Sequence, residues 1–187
     1  MPIGVKYLHF MTNTSPLQPT LVGKLLRVEP TRTADHDAVY AAASDPLIWE
    51  QHPARDRWQP EVFAAFFEGG LQSGGALTVR DALTNEVIGS SRYYSWLPQE
   101  RQLSIGYTFL ARRCWGGAFN RELKQLMLDH ALGFVDRVWF HIGVNNLRSR
   151  KAIESIGAIF DKEITDDPDW GGVSMAYYVI DQSTRKI

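Results

Sequence analysis

A glycine-containing turn between a strand and a long helix restricts the fold of this chain more than any other feature. The turn is "ARRCWGG", residues 111–117, and an apolar strand is predicted directly before it at 102–110. The following helix carries apolar residues at every third or fourth position, as on one helical face. A second apolar strand, "RVWFHIGV", follows at 137–144. This order predicts two parallel, adjacent strands joined by a helical crossover.

The remaining segments predict an α/β fold with a mixed, mostly antiparallel sheet and helices on both faces. Further strands are predicted at 24–29, 76–81, 87–96, 158–164 and 174–180, and further helices at 31–44, 60–72 and 146–156. Short, turn-rich connections within 76–110 indicate successive antiparallel hairpins. We interpret residues 1–20 as a flexible N-terminal extension and residues 21–187 as one domain.

The composition of the chain argues against several classes of function. The chain has 187 residues and a formal net charge of −1, so no general basic surface is expected for nucleic acid. No apolar run reaches the roughly 18 residues of a membrane-spanning helix, so no membrane partner is expected. The one cysteine, Cys114, allows no internal disulfide, which favours a reducing, cytoplasmic location. We expect no metal site.

The glycine turn is predicted to bind an anion. Gly116 and Gly117 lie where the first free N–H groups of the helix are expected, and these groups together with the helix dipole favour negative charge. Arg112 and Arg113 are placed to add charge-assisted contacts. The turn matches neither a phosphate P-loop nor a dinucleotide fingerprint. A tight turn that only needs small residues is the alternative.

A second group of polar residues follows the second parallel strand. In "NNLRSRKAIESIGAIF", residues 145–160, Asn146 begins a helix, and Ser149, Arg150 and Lys151 lie near its start. Taken alone, Asn146 is equally well explained as an N-cap, and the other three as solvated helix residues. The crevice beside the carboxyl ends of such strands is where open α/β sheets bind ligands.

Together, the two groups resemble the GCN5-related N-acetyltransferases. Arg113-x-x-Gly116-x-Ala118 matches the pyrophosphate loop R/Q-x-x-G-x-G/A of that family, and "NxxSxxAIExIGA" from Asn146 resembles a second segment of it. The resemblance covers about residues 21–180, and it favours the ribosomal-protein-alanine acetyltransferase-like (RimJ/RimL-type) branch. It implies the GNAT fold, in which the two parallel strands splay apart.

The resemblance also implies acetyl-coenzyme A (acetyl-CoA) as the co-substrate. Its pyrophosphate is expected at the turn, near Arg112, Arg113, Cys114, Trp115, Gly116, Gly117, Ala118 and Phe119. Its pantetheine arm is expected between the splayed strands, near Tyr107, Thr108, Phe109, Asn146 and Ser149. Arg150 or Lys151 is expected near the 3′-phosphate end.

Acetyl transfer to an amine needs a base, a fixed donor for the oxyanion, and an acid for the leaving thiolate, whose reference pKa is about 8.5. Many members of the family place a tyrosine acid seven residues after the asparagine, but that position is Ile153 here. We predict that Ser149 takes over this role. A backbone N–H on the splayed strand is the expected oxyanion donor.

The predicted base is His141, which lies on the second parallel strand. His52, Glu50 and Glu100 remain alternatives, as does a chain of water molecules. His130 lies on the apolar face of the long helix and is interpreted as a core residue.

Aromatic residues near the first helices are predicted to border the acceptor site, with core packing as the alternative. The predicted acceptor contacts are Trp49, Arg55, Tyr93 and Tyr94. Cys114 is interpreted as a packing residue rather than a nucleophile.

The resulting hypothesis is an N-acetyltransferase that moves an acetyl group from acetyl-CoA directly to a primary amine. One alternative is a relative that binds acyl-CoA without catalysis, because the tyrosine is missing. The other is an acyltransferase that uses a longer acyl-CoA. Protein N-termini, polyamines, amino acids and aminoglycoside-like amines all remain candidate acceptors. The oligomeric state stays open, although C-terminal strands often pair in this family to form a homodimer.

Overall fold

Within the described residues, 15–184, the computed structural model of the protein contains one eight-stranded sheet and four α-helices. The strands are β1 (Leu21–Val22), β2 (Leu26–Pro30), β3 (Ala76–Asp81), β4 (Val87–Leu97), β5 (Gln102–Leu110), β6 (Arg137–Gly143), β7 (Ile159–Asp167) and β8 (Val173–Asp181). The helices are α1 (His36–Ala43), α2 (Pro60–Gln72), α3 (Ala118–Ala131) and α4 (Leu147–Glu154). The strands lie in the order β1-β2-β3-β4-β5-β6-β8-β7 across the sheet.

The strand pairing confirms the predicted mixed, mostly antiparallel sheet. In this sheet β5 and β6 are parallel, and the other neighbouring strands are antiparallel. The helix α3 connects β5 to β6, as the crossover pattern predicts. The sequence pattern missed β1, because a strand of two residues shows no periodicity.

Helices cover both faces of the sheet, and each face has its own hydrophobic core. The helices α3 and α4 contribute to the larger core, for example through Met127. The helices α1 and α2 contribute to the second core, for example through Phe63. Val87 and Ile88, consecutive residues of β4, belong to different cores, since side chains alternate between the faces of a strand.

The parallel strands separate after a short paired segment. Their last paired residues are Ser104 of β5 and Trp139 of β6. Beyond that point β5 continues to Leu110 and β6 to Gly143 without pairing to each other. The sheet therefore opens between its two parallel strands, β5 and β6, as the resemblance implies.

A β-bulge bends β5 at this opening. Tyr107 has a φ of 52°, in the left-handed region, and Tyr107 and Thr108 together lie opposite Ser91 of β4. A bulge bends its strand and interrupts the regular ladder. A non-glycine residue with this backbone conformation costs roughly 1–3 kcal/mol, so local strain is stored beside the opening.

The last residues of the expected N-terminal extension already contact the domain. Leu17 packs against the larger core, and the Pro16 carbonyl accepts a hydrogen bond from His130 Nε2 at 2.7 Å. The rest of that extension, residues 1–14, lies outside the described residues, as do residues 185–187 of the predicted domain. None of the helices in the described part has the length and apolar character that spanning a membrane requires.

Candidate active site

Two connected cavities fill the space between the separated strands. The helix cavity, of about 380 Å³, is bordered by the starts of α3 and α4, with Gly116 and Arg148 in its wall. The strand cavity, of about 410 Å³, reaches between β5 and β6 to His141 and Trp170. The residues shared by both walls are Trp49, His52, Thr108, Asn120, Asn146, Ser149 and Ala152.

The start of α3 presents free backbone donors to the helix cavity. Gly116 has a φ of 67°, which glycine adopts without strain, and Gly117 is the N-cap. Within residues 15–184, neither glycine N–H donates a hydrogen bond to another group. Unpaired N–H groups at a helix N-terminus form an anion-binding site.

Asn146 and Ser149 occupy the corresponding position at the start of α4. Asn146 is buried, and its Oδ1 accepts a hydrogen bond from the Ser149 N–H at 3.2 Å, so it is the N-cap. Its Nδ2 has no hydrogen-bond partner in the described part of the chain. Nδ2 is therefore available to a ligand in the cavities that Asn146 lines.

The walls of both cavities are positively charged. The helix cavity is lined by Arg121, Arg148 and Lys151, and the strand cavity by Arg57 and Lys124. No Asp or Glu of the described residues lines either cavity. The local field favours an anionic ligand, although the net charge of the chain is −1.

A stacked pair connects the starts of the two helices. The Arg148 guanidinium lies 3.9 Å from the ring centroid of Trp115, and its Nη2 donates to the Ile48 carbonyl at 2.7 Å. This cation–π contact holds a cation in the wall of the helix cavity, close to the free N–H groups of α3.

Lys124 places an amine in the wall of the strand cavity. Its side chain is 5% exposed, and Nζ donates to Thr108 Oγ1 at 2.7 Å. Nζ also lies 5.6 Å from the ring centroid of Phe140. Burial lowers the pKa of Lys124 to about 7.

His141 lies at the far end of the strand cavity among aromatic rings. Its Nδ1 is 2.9 Å from the Tyr94 hydroxyl, and its ring centroid is 4.4 Å from that of Tyr177 and 5.6 Å from that of Trp170. Burial lowers the pKa of His141 to about 4, so the imidazole is neutral at pH 7. Burial raises the pKa of Tyr94, which keeps that hydroxyl protonated.

Arg57 lies on the other wall of the strand cavity, against Trp49 and Phe66. Its Cζ is 5.0 Å from the Trp49 ring centroid and 4.5 Å from the Phe66 ring centroid. Its Nη1 is 3.5 Å from His52 Nε2. Burial, followed by the charge of Arg57, lowers the pKa of His52 to about 3.

A family comparison agrees with this geometry. Residues 26–159, more than half of the chain, match the model described as "Acetyltransferase (GNAT) domain". The chain belongs to the GNAT acetyltransferase family. It is therefore an acetyl-CoA-dependent N-acetyltransferase, and acetyl-CoA is its co-substrate. A comparison with curated proteins finds no match.

Solved structures of other acetyltransferases share the fold. A GCN5-related N-acetyltransferase from Brucella melitensis superimposes with a TM-score of 0.80 at 17% identity, covering 89% of this chain and 80% of that chain. A GNAT-family acetyltransferase from Bacillus anthracis gives 0.73 at 16% identity, with coverage of 88% and 99%. RimJ from Mycobacterium smegmatis, in complex with CoA-disulfide, gives 0.67 at 17% identity, with 90% of each chain covered. At this identity RimJ supports the fold, and the predicted branch is not confirmed.

Most of the residues predicted to bind acetyl-CoA lie in the cavity walls of the acetyltransferase. These residues are Tyr107, Thr108, Phe109, Trp115, Gly116, Gly117, Asn146, Ser149 and Lys151. The predicted catalytic residues Ser149 and His141 both line the strand cavity. The predicted acceptor contacts Trp49 and Tyr94 line it as well.

Three arginines predicted at the acetyl-CoA site are not in the cavity walls. Arg112 pairs with Asp45, and Arg113 pairs with Glu86 at 2.6 Å, so both side chains are held on the surface. Arg150 donates to the Tyr178 hydroxyl at 2.8 Å instead. Their positions depend on partners distant in sequence, which the local pattern does not reveal.

The other residues of the turn also depart from the prediction. Cys114 is buried in the larger core and Phe119 packs against that core. Ala118 is exposed at the first position of α3 and lines neither cavity. The interpretation of Cys114 as a packing residue agrees with its burial.

Two predicted acceptor contacts require correction. Tyr93 is 0% exposed, belongs to the larger core and donates its hydroxyl to the Met127 carbonyl at 2.7 Å, so a substrate cannot reach it. Arg55 is exposed and lines neither cavity. Arg57, two residues later in the same turn, lines the strand cavity instead.

Sequence reasoning missed several polar residues in the cavity walls. The missed residues are Arg57, Asn120, Arg121, Lys124, Arg148 and Trp170. The sequence did carry a signal for the start of α3. Counted from Gly117, the residues Asn120, Arg121 and Lys124 lie at offsets 3, 4 and 7, which places all four on one helical face. That polar face at the glycine turn could have been predicted to face the ligand.

Proposed function

We propose that this acetyltransferase moves the acetyl group of acetyl-CoA directly to a primary amine in the opening between β5 and β6. The observation that carries the proposal is the pair of connected cavities. One end has free helix N–H groups and cations, and the other has a neutral histidine among aromatic rings. The first end suits the phosphates of coenzyme A, and the second suits an uncharged amine that is about to react.

The residues of the helix cavity fit the charged part of acetyl-CoA. The free N–H groups of Gly116 and Gly117 and the guanidinium of Arg121 suit the pyrophosphate. Arg148 and Lys151 are the cations for the remaining phosphate. This assignment replaces the predicted contacts of Arg112, Arg113 and Arg150.

The shared wall suits the pantetheine arm. Asn146 offers its free Nδ2, and the unpaired edge of β5 beyond Ser104 offers backbone groups. The same edge, at the bulge of Tyr107 and Thr108, is the proposed source of the N–H that stabilises the developing oxyanion. Acetyl-CoA supplies the thioester whose acyl group is transferred.

Ser149 is the proposed proton donor to the leaving thiolate. Its backbone N–H is held by the Asn146 cap, and no hydrogen bond in residues 15–184 engages its hydroxyl. It lines both cavities and is thus placed where the two parts of the site meet. A serine donates either its own proton or that of a bound water.

His141 is the proposed base. Its ability to accept a proton from the amine depends on which group the Tyr94 hydroxyl donates its hydrogen bond to. The Tyr94 hydroxyl contacts both His141 Nδ1 and the Ser104 side chain. When Tyr94 donates to Ser104, its oxygen accepts Nδ1–H and leaves Nε2 free to accept a proton from the amine. When Tyr94 donates to Nδ1 instead, Nε2 carries the proton and cannot act as a base.

Measurement of thiol release from acetyl-CoA with a panel of amines tests this proposal. Ser149→Ala should lower kcat by roughly 10²-fold, with little change in KM for acetyl-CoA, because a proton donor contributes about that factor. Ser44→Ala is the matched control, since Ser44 is an exposed serine that bonds the Ala41 carbonyl and lines neither cavity. If Ser149→Ala keeps kcat within about twofold of the unmodified protein, the role of Ser149 is wrong.

The same assay separates the alternatives. Binding of acetyl-CoA without thiol release from any amine would support the non-catalytic relative. Faster thiol release from longer acyl-CoAs would support a different donor. The RimJ/RimL-like branch, a reducing cytoplasmic location and a homodimer remain proposals beside this function.

A further inference from the structure

The strand cavity contains a cation that acetyl-CoA phosphates do not explain. The cations suited to the phosphates, Arg121, Arg148 and Lys151, line the helix cavity. Arg57 lines the strand cavity instead, together with Tyr94, His141 and the other residues of the proposed acceptor end.

The Arg57 guanidinium is partly buried and has no carboxylate partner. No ion pair of the described chain includes Arg57. Its one close polar contact within residues 15–184, from Nη1 to His52 Nε2 at 3.5 Å, is not a hydrogen bond, because neutral His52 accepts the Ala54 N–H at Nδ1 and therefore carries its proton on Nε2. Its Cζ lies over the Trp49 and Phe66 rings, which do not use its N–H groups, so these donors stay available for a ligand in the cavity.

A second arginine behind the wall adds to the positive potential. Arg92 is 8% exposed and stacks on Tyr107, with Cζ 4.2 Å from the ring centroid. Its Nε has no hydrogen-bond partner within the described part, and its two terminal nitrogens reach the Gly69 and Phe66 carbonyls at 3.4 and 3.3 Å. Two neighbouring and largely buried guanidinium groups without a carboxylate partner destabilise the folded protein, and an anion bound next to them would reduce this free-energy cost.

The acidic residues near this end of the site do not neutralise it. The charge of Asp56 acts on Arg57, but Asp56 is exposed, does not line the cavity and forms no ion pair with Arg57 in the described chain. Asp167 is buried, and its carboxylate accepts hydrogen bonds from the Tyr177 hydroxyl and the Asp169 N–H. Asp169 is exposed, and neither aspartate lines the cavity. A polyamine would therefore bring further positive charge to Arg57 without a carboxylate in the wall to receive it.

We propose that the acceptor is a small amine that also carries a carboxylate, as an α-amino acid does, and that Arg57 binds this carboxylate. The inference rests on the proposed function, because it assigns the acceptor of the same site. A guanidinium binds a carboxylate through two parallel hydrogen bonds, which fixes the orientation of the ligand. The neighbouring amine would then be held in the same cavity as His141.

The test compares acceptors that differ only in the carboxylate. Thiol release from acetyl-CoA is measured with free α-amino acids, with their α-carboxamides, and with spermidine, an aminoglycoside and short peptides. The intact protein should prefer the carboxylate over the matched carboxamide by roughly tenfold or more in kcat/KM. Arg57→Gln should remove this preference through KM for the acceptor, with KM for acetyl-CoA unchanged.

Arg55→Gln is the matched control, because Arg55 lies in the same turn but is exposed and lines neither cavity. It should keep the preference of the unmodified protein. Arg57→Lys should restore part of the preference, since a lysine retains the charge but not the paired donors.

Three results would overturn the inference. One is acetylation of carboxamides, spermidine or the aminoglycoside as efficiently as amino acids, which leaves the proposed function intact. Another is a preference unchanged by Arg57→Gln. The third is faster thiol release from an acyl-CoA whose acyl group carries a free carboxylate than from acetyl-CoA. That result would indicate that Arg57 binds a carboxylate of the acyl donor rather than of the acceptor. In contrast, no thiol release with any amine, while acetyl-CoA still raises Tm, would overturn the proposed function itself.

Discussion

At the residue scale, the buried ammonium of Lys124 is the group that opposes folding most clearly. It is 5% exposed, and within the described chain its hydrogen bond is to a hydroxyl, Thr108 Oγ1, rather than to a carboxylate. Burial of a charge without a counterion penalises the charged form. This burial lowers the pKa of Lys124 from 10.5 to about 7.

The stability of the protein without ligands should therefore rise with pH between about 7 and 10.5. In that interval the unfolded chain keeps the Lys124 proton and the folded chain releases it, so the free energy of unfolding increases with pH. Below pH 7 both forms are protonated and the penalty is constant. Urea unfolding between about pH 6.5 and 9 should show a flatter pH dependence for Lys124→Met than for the unmodified protein, and the variant should be the more stable of the two at neutral pH.

Lys24→Met is the control for this measurement, because Lys24 is exposed and its replacement should keep the pH dependence of the unmodified protein. An equal slope in the Lys124→Met and unmodified proteins would show that Lys124 is not the titrating group.

Some residues of the candidate site could be predicted from the local sequence, and others could not. Gly116 and Asn146 could be predicted because backbone requirements at helix starts are local. Arg112 could not be excluded from the site, because its partner Asp45 lies 67 positions away in sequence. The prediction of Arg55 in place of Arg57 at the acceptor end was wrong for a similar reason. The direction of a side chain in an irregular turn depends on what packs against it.

At the scale of elements, the side chain of Glu122 adds hydrogen bonds between α3 and the first hairpin to their packing in the larger core. The carboxylate of Glu122 accepts hydrogen bonds from the N–H groups of Lys24, Leu25 and Leu26 at 2.9, 2.8 and 3.0 Å. These donors lie at the turn between β1 and β2, 96 to 98 positions away in sequence. Glu122 thus fixes the helix whose first turn borders the proposed phosphate site against the edge of the sheet.

Glu122→Ala should destabilise the protein by about 2–3 kcal/mol, because it leaves the partly buried N–H groups of Leu25 and Leu26, and the exposed one of Lys24, without an acceptor. Urea unfolding would measure the loss. Glu68→Ala is the control and should change stability by less than about 0.5 kcal/mol, since Glu68 is exposed on α2 and bonds only Gln72 among the described residues. A loss for Glu122→Ala no larger than that of the control would show that this contact does not stabilise α3.

The elements were largely predictable from the sequence, but their distortions were not. The bounds of α2, β3 and β5 agree with the pattern because Pro60 and alternating apolar residues mark them locally. The bulge at Tyr107 has no comparable signal, since a tyrosine with positive φ is held there by surrounding structure. The splay of β5 from β6 followed from the family resemblance rather than from periodicity.

At the scale of the whole molecule, one continuous opening is the proposed site of both substrates. The helix cavity and the strand cavity share Asn146 and Ser149, so acetyl-CoA and the acceptor are expected to meet at this wall from opposite ends. Cys114 is 2% exposed, packs in the larger core and lines neither cavity. The geometry therefore favours a complex of both substrates over a covalent acetyl-cysteine.

Initial-rate measurements with both substrates varied should consequently give intersecting double-reciprocal lines. CoA should inhibit competitively against acetyl-CoA but not against the acceptor, because the two occupy different ends of the opening. Cys114→Ala should keep kcat within about threefold, since a buried packing residue affects the reaction only indirectly. Parallel lines together with an acetylated protein in the absence of acceptor would contradict this, because they are the signature of transfer through a covalent intermediate.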